Sequence, residues 1–252
     1  MKDIHCHILP DVDDGAANLS ESLAMLEAAK AVGVTSIVCT PHVRDPYFDF
    51  DMMWDAYHKL VNASNGFPIT MGFEVNWNKL QELGEDEWLP LLYCDGPSYT
   101  GSGTHTILLE LSNSAKLAEY NNYAKTIRKC QALGYDVVIA HPERYHVIQN
   151  NIEVARKLKQ MGCKLQASCD FIAGGRMGKE KRPAKKMFKA GLYDFIASDA
   201  HYPEHYRLLE KACRKYPLPD NIVQPMSARG SIKSSSSVVV DNTVYKGKHF
   251  KV

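Results

Sequence analysis

Short apolar runs of strand length alternate with helical spacings along most of the chain. The runs fall at residues 2–8, 35–39, 68–75, 106–111, 136–140, 163–168 and 193–197, and each reads as a strand. The first is followed by a helix from about Leu19, where Asn18 and Glu21 stand at capping-box spacing. Leu19, Leu23, Leu26 and Val32 mark one face of that helix, and Gly33 is placed to end it. Further helices are expected over 51–64, from Leu117 through Tyr120, Ala124 and Ile127 to a stop at Gly134, and over 152–161, 181–190 and 203–216.

Strand followed by helix, seven times, predicts a parallel α/β fold. Periodicity leaves open whether the sheet closes into a barrel or stays open and doubly wound; the chemistry described below leans toward a barrel. Two stretches break the pattern. Residues 95–105 (DGPSYTGSGTH) are rich in Gly, Ser and Thr and read as a loop. The stretch after Tyr216 holds four successive serines (234–237) and no helical period, and its Val238, Val239 and Val240 either add a strand or are disordered. One domain over 1–216 is expected, with 217–252 a tail packed on it or trailing from it. No internal repeat is found.

Composition narrows the class. Of 252 residues, 45% are apolar and 23% charged, ordinary for a soluble globular protein. Thirty Lys and Arg against 29 Asp and Glu leave a net charge of +1, which makes no electrostatic case for nucleic acid or an anionic membrane. No run approaches the ~20 apolar residues of a membrane span. The N-terminus enters charged residues with no hydrophobic signal core, so a cytoplasmic enzyme is expected. Seven cysteines without a C-x-x-C give neither a disulfide framework nor a zinc knuckle.

The position of the unusual residues changes the picture more. His5 and His7 lie at the end of the first strand, with Asp13 and Asp14 in the loop after it. His42 follows the second strand, Glu74 closes the third, Glu110 ends the fourth, His141 lies just past the fifth, and Asp199 and His201 lie just past the seventh. Alternation puts His5 and His7 on one face by default, and an H-x-H alone is a weak signal. Glu110 weighs more, because a carboxylate ending the apolar run Ile107-Leu108-Leu109 is costly unless paired or metal-bound. Asp199-Ala200-His201 repeats the spacing of His5-Cys6-His7. Counting one of the adjacent pair Asp13 and Asp14, nine oxygen and imidazole ligands at matching places in successive units point to a metal site on one rim, suited to Mn²⁺, Fe or Zn²⁺ rather than to a Cys-rich structural zinc.

These residues carry a resemblance. His5-Cys6-His7 with Asp14, Thr40-Pro41-His42, Gly72-Phe73-Glu74, Leu109-Glu110, the run IAHPERY over 139–145 and Ala197-Ser198-Asp199-Ala200-His201 resemble the polymerase and histidinol phosphatase (PHP) superfamily. The opening DIHCHILPDVDDGAANLSESLAML and the AHPERY segment are similar to the bacterial manganese-dependent protein-tyrosine phosphatases of capsule and exopolysaccharide operons. The match runs in order over roughly residues 1–210. It implies a distorted seven-stranded (β/α) barrel of the PHP type with a three-metal Mn²⁺ cluster. His5, His7, Glu74 and Asp199 would hold one ion, a bridging Glu74 with Glu110 and His141 a second, and Asp14, His42 and His201 a third. Arg144 matches an arginine expected to bind substrate phosphate, and Arg207 is the nearest counterpart, at looser spacing, of a second one after the D-x-H. The partner implied is a phosphorylated bacterial tyrosine kinase controlling polysaccharide export. The family's closing helix and Asn-Pro segment have no counterpart in 217–252, which leaves an oligomer contact through that end open.

Phosphate monoesters need up to ~10²¹-fold acceleration, of which one general acid or base supplies about 10²–10⁴. A metal cluster meets the deficit by ionising a bridging water, clamping phosphate oxygens and neutralising the leaving oxygen. Arg144 would add a bidentate grip, and a phenolate with pKa near 10 leaves readily. The cysteine-dependent alternative needs an Arg six residues after a Cys, and none of Cys6, Cys39, Cys94, Cys130, Cys163, Cys169 and Cys213 has one. Lesser candidates are Arg44 as a phosphate-facing or solvated arginine and Gly174-Gly175-Arg176 as an anion-binding or ordinary turn. Ser168 is a ligand contact or a cap; Trp54, Trp77 and Trp88 are core, or in the case of Trp77 a pocket wall; His105, His146, His205 and His249 are surface or structural. A small-molecule phosphatase such as histidinol phosphatase, and a non-catalytic phosphotyrosine-binding regulator, are the alternatives.

Overall fold

The computed structural model describes residues 1–83 and 105–218. The loop expected over 95–105 lies outside the described residues save for His105, and so do Trp88, Cys94, His249 and all but the first two residues of the expected tail.

All strand pairings are parallel, and they form two sheets. One has the order β1-β2-β4, built from β1 (Lys2–Cys6), β2 (Ser36–Cys39) and β4 (Ile69–Met71). The other runs β3-β5-β6-β7-β8-β9, from β3 (His42–Val43), β5 (Glu74–Asn76), β6 (His105–Glu110), β7 (Tyr135–Ala140), β8 (Lys164–Ser168) and β9 (Phe195–Ala197). A strand stands at each of the seven expected places, but the described strands number nine and do not close as one barrel. The extra pieces arise where the chain breaks, at Thr40-Pro41 between β2 and β3 and at Gly72-Phe73 between β4 and β5. Pro41 has no N–H to give a ladder. The pieces stay in step, because Gly72 N donates to Cys39 O at 2.7 Å and Glu74 N to Pro41 O at 3.1 Å. At the opposite seam β1 meets the chain beyond β9 through a single parallel bridge, Cys6 with Ala200. Hydrogen bonds from His7 N to Ala200 O (2.9 Å) and from Asp199 N to His5 O (2.8 Å) flank it.

The helices between strands follow the sequence closely. They are α1 (Leu19–Ala31), α2 (Phe50–Ala63), α4 (Tyr120–Ala132), α6 (Glu153–Gln160), α7 (Lys181–Lys189) and α8 (His205–Lys215). Half of the capping box forms: Glu21 N donates to Asn18 Oδ1 at 3.0 Å, while the Glu21 carboxylate accepts not from the Asn18 backbone but from Ala17 N, one residue ahead, at 3.0 Å. The buried face of α1 is nevertheless rotated from the expected one. Ser22, Met25, Leu26 and Ala29 are buried, while Leu19 and Leu23 only flank the core. Leu117 lies in a 3₁₀ turn ahead of α4 and is exposed. Two helices were not expected, α3 (Trp77–Glu82) and α5 (His146–Asn150). Six and five residues are too short for a 3.6-residue period to show.

The larger apolar core lies between sheets and helices. A smaller one, made of Ile4, Leu108, Val138, Ala140, Phe195 and Ala197, lines the other face of the strands. The functional residues stand one step further along those strands.

Candidate metal centre

The nine expected ligands come together at the C-terminal strand ends. They form four overlapping groups whose ligand atoms lie within 4.8 Å of one another: His7, Asp14, His42 and His201; His5, Glu74 and His141; His5, His7 and Asp199; His42, Glu74 and Glu110. Eight of the nine are buried, and Asp14 is partly exposed. Local geometry explains the loop carrying Asp14. Ala16 N donates to His7 O at 3.1 Å, and a Cβ on Gly15 would stand 2.0 Å from that same oxygen. Only glycine lets the Asp13-Asp14 turn fold back over His7. His141 and Asp199 sit at φ of 28° and 48°, in the left-handed region that non-glycine residues adopt at a cost.

Hydrogen bonds on the far side of each ring decide which imidazole nitrogen carries the proton. Gln166 Nε2 donates to Ala167 O at 2.8 Å, so its Oε1 faces His5 Nδ1 at 2.9 Å and that nitrogen is a donor. His7 Nδ1 donates to Asp13 Oδ2 at 2.8 Å. Nε2 of both rings is left with its lone pair, and the two nitrogens lie 3.2 Å apart. Glu74 Oε2 is 3.4 Å from each, and Asp199 Oδ1 is 3.5 Å from His5 and 3.3 Å from His7. Electron pairs from two imidazoles and two carboxylates thus converge on one buried point. Burial alone would lower the imidazole pKa values, yet Glu74 and Asp199 raise that of His5, and Asp13 carries that of His7 well above the ordinary value. The point demands positive charge, and an oxygen–nitrogen donor set of this kind fits a divalent cation.

Glu74 is the hub. Its Oε1 accepts from His141 Nε2 at 2.6 Å, while Oε2 lies 2.8 Å from His42 Nδ1 without a hydrogen bond forming. Glu74 Oε2, His42 Nδ1 and His141 Nδ1 are all buried without a hydrogen-bond partner. Such orphans are rare unless another ligand takes them. Against the effect of burial, His5 and His42 hold the Glu74 carboxyl well below the usual carboxylate range. At the third group, His201 Nδ1 donates to the Asp199 carbonyl at 2.9 Å, which turns Nε2 to Asp14 Oδ1 at 3.1 Å. His42 Nε2 is 3.2 Å from the same oxygen.

Three arginines surround the cluster. Arg144, in the 3₁₀ turn Pro142–Arg144, is buried; its Nη2 donates to Asp199, to Asp170 Oδ2 at 3.0 Å and to Ser168 Oγ at 3.2 Å. Its Nε has no partner, leaving a donor free beside the cluster. Arg44 Nη2 stands 3.0 Å from His42 Nε2 with the guanidinium over the Tyr47 ring, and Arg176 Nη2 bonds Asp14 Oδ2 at 2.9 Å. Arg207 is the one expected site residue that the fold does not bring in. It is exposed on α8, and among the described residues its side chain has no hydrogen bond or ion pair with the cluster. Arg176, singled out only as part of a turn, occupies the rim instead.

Other expectations resolve in place. Trp77 is structural, with Nε1 donating to Thr126 Oγ1 at 3.0 Å and its ring edge-on to Tyr123. Ser168 serves Arg144. His205 accepts from His201 N at 3.2 Å and so holds the backbone of that candidate ligand. The six described cysteines are buried free thiols, and burial pushes the pKa of each upward, far from a nucleophile's needs. Sequence reasoning gave no role to Asp13, Gln166 and Asp170. Gln166 and Ser168, two apart in an apolar strand, repeat the His5/His7 spacing and were the available signal.

The comparisons with known proteins agree with this chemistry. A family model described as capsular polysaccharide synthesis, CpsB/CapC, matches residues 1–217. Tyrosine-protein phosphatase YwqE of Bacillus subtilis is 31% identical over 212 residues, spanning 80% of this chain and 77% of the relative. Tyrosine-protein phosphatase CpsB of Streptococcus pneumoniae is 29% identical over 214 residues, spanning 80% and 83%. A crystal structure from work on YwqE of Bacillus subtilis and CpsB of Streptococcus pneumoniae, metal-dependent tyrosine phosphatases, superposes with a TM-score of 0.68 at 26% identity, over 88% of this chain and 90% of that one.

Proposed function

The chain belongs to the CpsB/CapC family of capsular polysaccharide synthesis, and from that premise we propose that it is a metal-dependent phosphotyrosine-protein phosphatase. The observation that carries the reading is the convergence of His5 Nε2, His7 Nε2, Glu74 Oε2 and Asp199 Oδ1 on one buried point. The cluster holds up to three ions. His5, His7, Glu74 and Asp199 take one; Glu74, Glu110 and His141 take a second; Asp14, His42 and His201 take a third, with His7 close enough to share it. Mn²⁺ suits hard carboxylates mixed with imidazoles, and Fe or Zn²⁺ fits the same donors.

Bound divalent ions supply an acidified water and neutralise phosphate charge. The chain's own residues do the rest. Asp13 and Gln166 hold the tautomers of His7 and His5 so that both Nε2 lone pairs face inward. Arg144, kept charged by Asp199 and Asp170 against burial, offers Nε to a phosphate oxygen. Its anchoring to Asp199 fixes the phosphate grip relative to a ligand of the cluster. A phenolate leaving group needs little help from an acid.

The two sheets correspond to a distorted seven-stranded barrel if β2 with β3 and β4 with β5 each count as one broken strand. The protein's partner is then a phosphorylated bacterial tyrosine kinase acting in the cytoplasm, and residues 1–216 form the catalytic domain. No helix of the described residues is long and apolar enough to cross a membrane.

The test is phosphate release by chelator-stripped protein from a phosphotyrosine peptide and from histidinol phosphate, with and without Mn²⁺. Metal-dependent turnover of the peptide is expected. Turnover of histidinol phosphate alone would transfer the chain to small-molecule metabolism, and metal binding without turnover would make it a phosphotyrosine-binding regulator.

A further inference from the structure

Helix α7 breaks the rules of its neighbours. The segment from Arg176 to Lys189 carries Arg176, Lys179, Lys181, Arg182, Lys185, Lys186 and Lys189, and its only acidic residue is Glu180. Glu180 is buried and committed to the backbone, accepting from Met177 N at 2.7 Å and Lys179 N at 2.6 Å. Among the described residues, none of the six lysine and arginine side chains after Arg176 has a hydrogen bond or ion pair, and all six are exposed. On α7 itself Pro183, Ala184 and Met187 face the core, so Lys181, Arg182, Lys185, Lys186 and Lys189 share the opposite face.

This arrangement costs the fold stability. Lys181 and Arg182 stand in the first helical turn, where the helix dipole disfavours cations, and that turn itself holds no acid. Lys181 with Lys185, Arg182 with Lys186 and Lys185 with Lys189 are like charges four apart. The helices on either side do the reverse: α6 pairs Arg156 with Glu153 at 3.0 Å, and α8 pairs Arg214 with Glu210 at 2.8 Å. A local rule broken without a local return points to function.

The stripe also begins at the cluster. Arg176 Nη2 bonds Asp14 Oδ2 at 2.9 Å. The loop behind it is tied to Asp170, which accepts from Gly175 N at 2.9 Å through its carbonyl and from Arg144 at 3.0 Å through its carboxylate. Gly175 itself must be glycine, since a Cβ there would stand 2.4 Å from the Glu180 carboxylate. From this rim the nine residues of α7 extend for about 13 Å at 1.5 Å per residue, the length of about four residues of extended peptide.

We propose that Arg176 and the exposed face of α7 form a docking surface for an acidic polypeptide segment flanking the phosphotyrosine. The proposal rests on the phosphatase reading above. The stripe is one helix wide and starts at the site a phosphorylated side chain must enter, which suits a peptide. Its exposed positions on α7 are all cationic, and exposed Met177, between Arg176 and the helix, is a single apolar side chain where a lipid-binding face would need an apolar stripe. The chain's net charge of +1 concealed the patch, because acids elsewhere balance it.

The test compares wild type with Lys185→Glu/Lys186→Glu, two positions outside the cluster. Turnover of para-nitrophenyl phosphate, an acidic phosphotyrosine peptide and a neutral one of equal length is measured with Mn²⁺ at low and high salt. In wild type, kcat/KM for the acidic peptide should exceed that for the neutral one by about tenfold at low salt and lose the advantage at high salt. In the double variant the preference should vanish through KM, with para-nitrophenyl phosphate hydrolysed as before. Equal kcat/KM for the two peptides in wild type, or equal losses on both in the variant, would overturn the proposal. Anisotropy of the labelled acidic peptide on the metal-loaded protein is read in parallel. If no substrate is turned over, the phosphatase reading fails, while salt-sensitive binding lost in the variant still supports the docking surface. Binding of vesicles containing anionic lipid, with none of the peptide, would overturn it in favour of a membrane contact.

Discussion

Two layers on the same strand faces differ in what completes them. Leu108 and Glu110 share a face of β6, and Ala197 and Asp199 share one at the end of β9, each pair one pleat apart. The lower layer, with Ile4, Val138, Ala140 and Phe195, is filled by its own apolar atoms. The upper layer is as deeply buried but leaves Glu74 Oε2, His42 Nδ1, His141 Nδ1 and Arg144 Nε without partners. One layer is finished by folding; the other leaves buried donors and acceptors open.

The comparison breaks most visibly at Glu74. Glu74→Ala removes the carboxylate that faces His5, His7, His42 and His141. Turnover should fall by more than about 10³-fold, as when a metal-held transition-state contact is lost, and metal content by mass spectrometry should fall with it. Full activity would end the cluster model. In the lower layer, Leu108→Ala should cost about 2–5 kcal/mol by chemical denaturation, equally with and without metal, and leave activity per folded molecule intact. A metal-dependent loss there would mean the layers are not separable. Asp13→Asn keeps the shape but weakens the acceptor for His7 Nδ1 and His42 N; metal affinity should fall about 10–100-fold by titration, with little change in the stability of the metal-free protein.

The smallest effect lies beside the upper layer. Burial pushes the Glu143 carboxyl up to about 8, against the hydrogen bond from Tyr193. The unfolded chain loses this proton near 4.5 and the folded chain near 8, so folded protein holds more protons between those values and stability falls as pH rises through that window. Glu143→Gln should flatten this slope in denaturation curves taken from pH 5 to 8. An unchanged slope would assign the pH dependence to another group.

The upper layer was the more legible of the two in the sequence, because each ligand is a polar residue interrupting or ending an apolar run. Their supports were not. A carboxylate such as Asp13 next to Asp14 gives no hint of which one turns inward, since Gly15 and the return to His7 O decide it. Arg207 failed for a related reason: spacing after Asp199-Ala200-His201 counts residues but does not see that α8 turns that position outward. The strand breaks were legible only as Pro41 and Gly72. The face of α1 moved because Ser22, which no hydrophobic count would choose, and the small Ala29 lie on the buried side with Met25 and Leu26.

The bridge between Cys6 and Ala200 joins the first strand to one of the last parts of the described chain to be synthesised. The candidate ligands span residues 5 to 201, and among the described residues the first and last of them meet across that seam. A growing chain therefore carries His5, His7 and Asp14 through translation without Asp199 and His201. Of the candidate groups, those that include Asp199 or His201 can be completed only once the final strand has emerged, whereas His5, Glu74 and His141, and His42, Glu74 and Glu110, are present before it. A chain cut short before Asp199 would lack a member of the group His5, His7 and Asp199 and of the group His7, Asp14, His42 and His201.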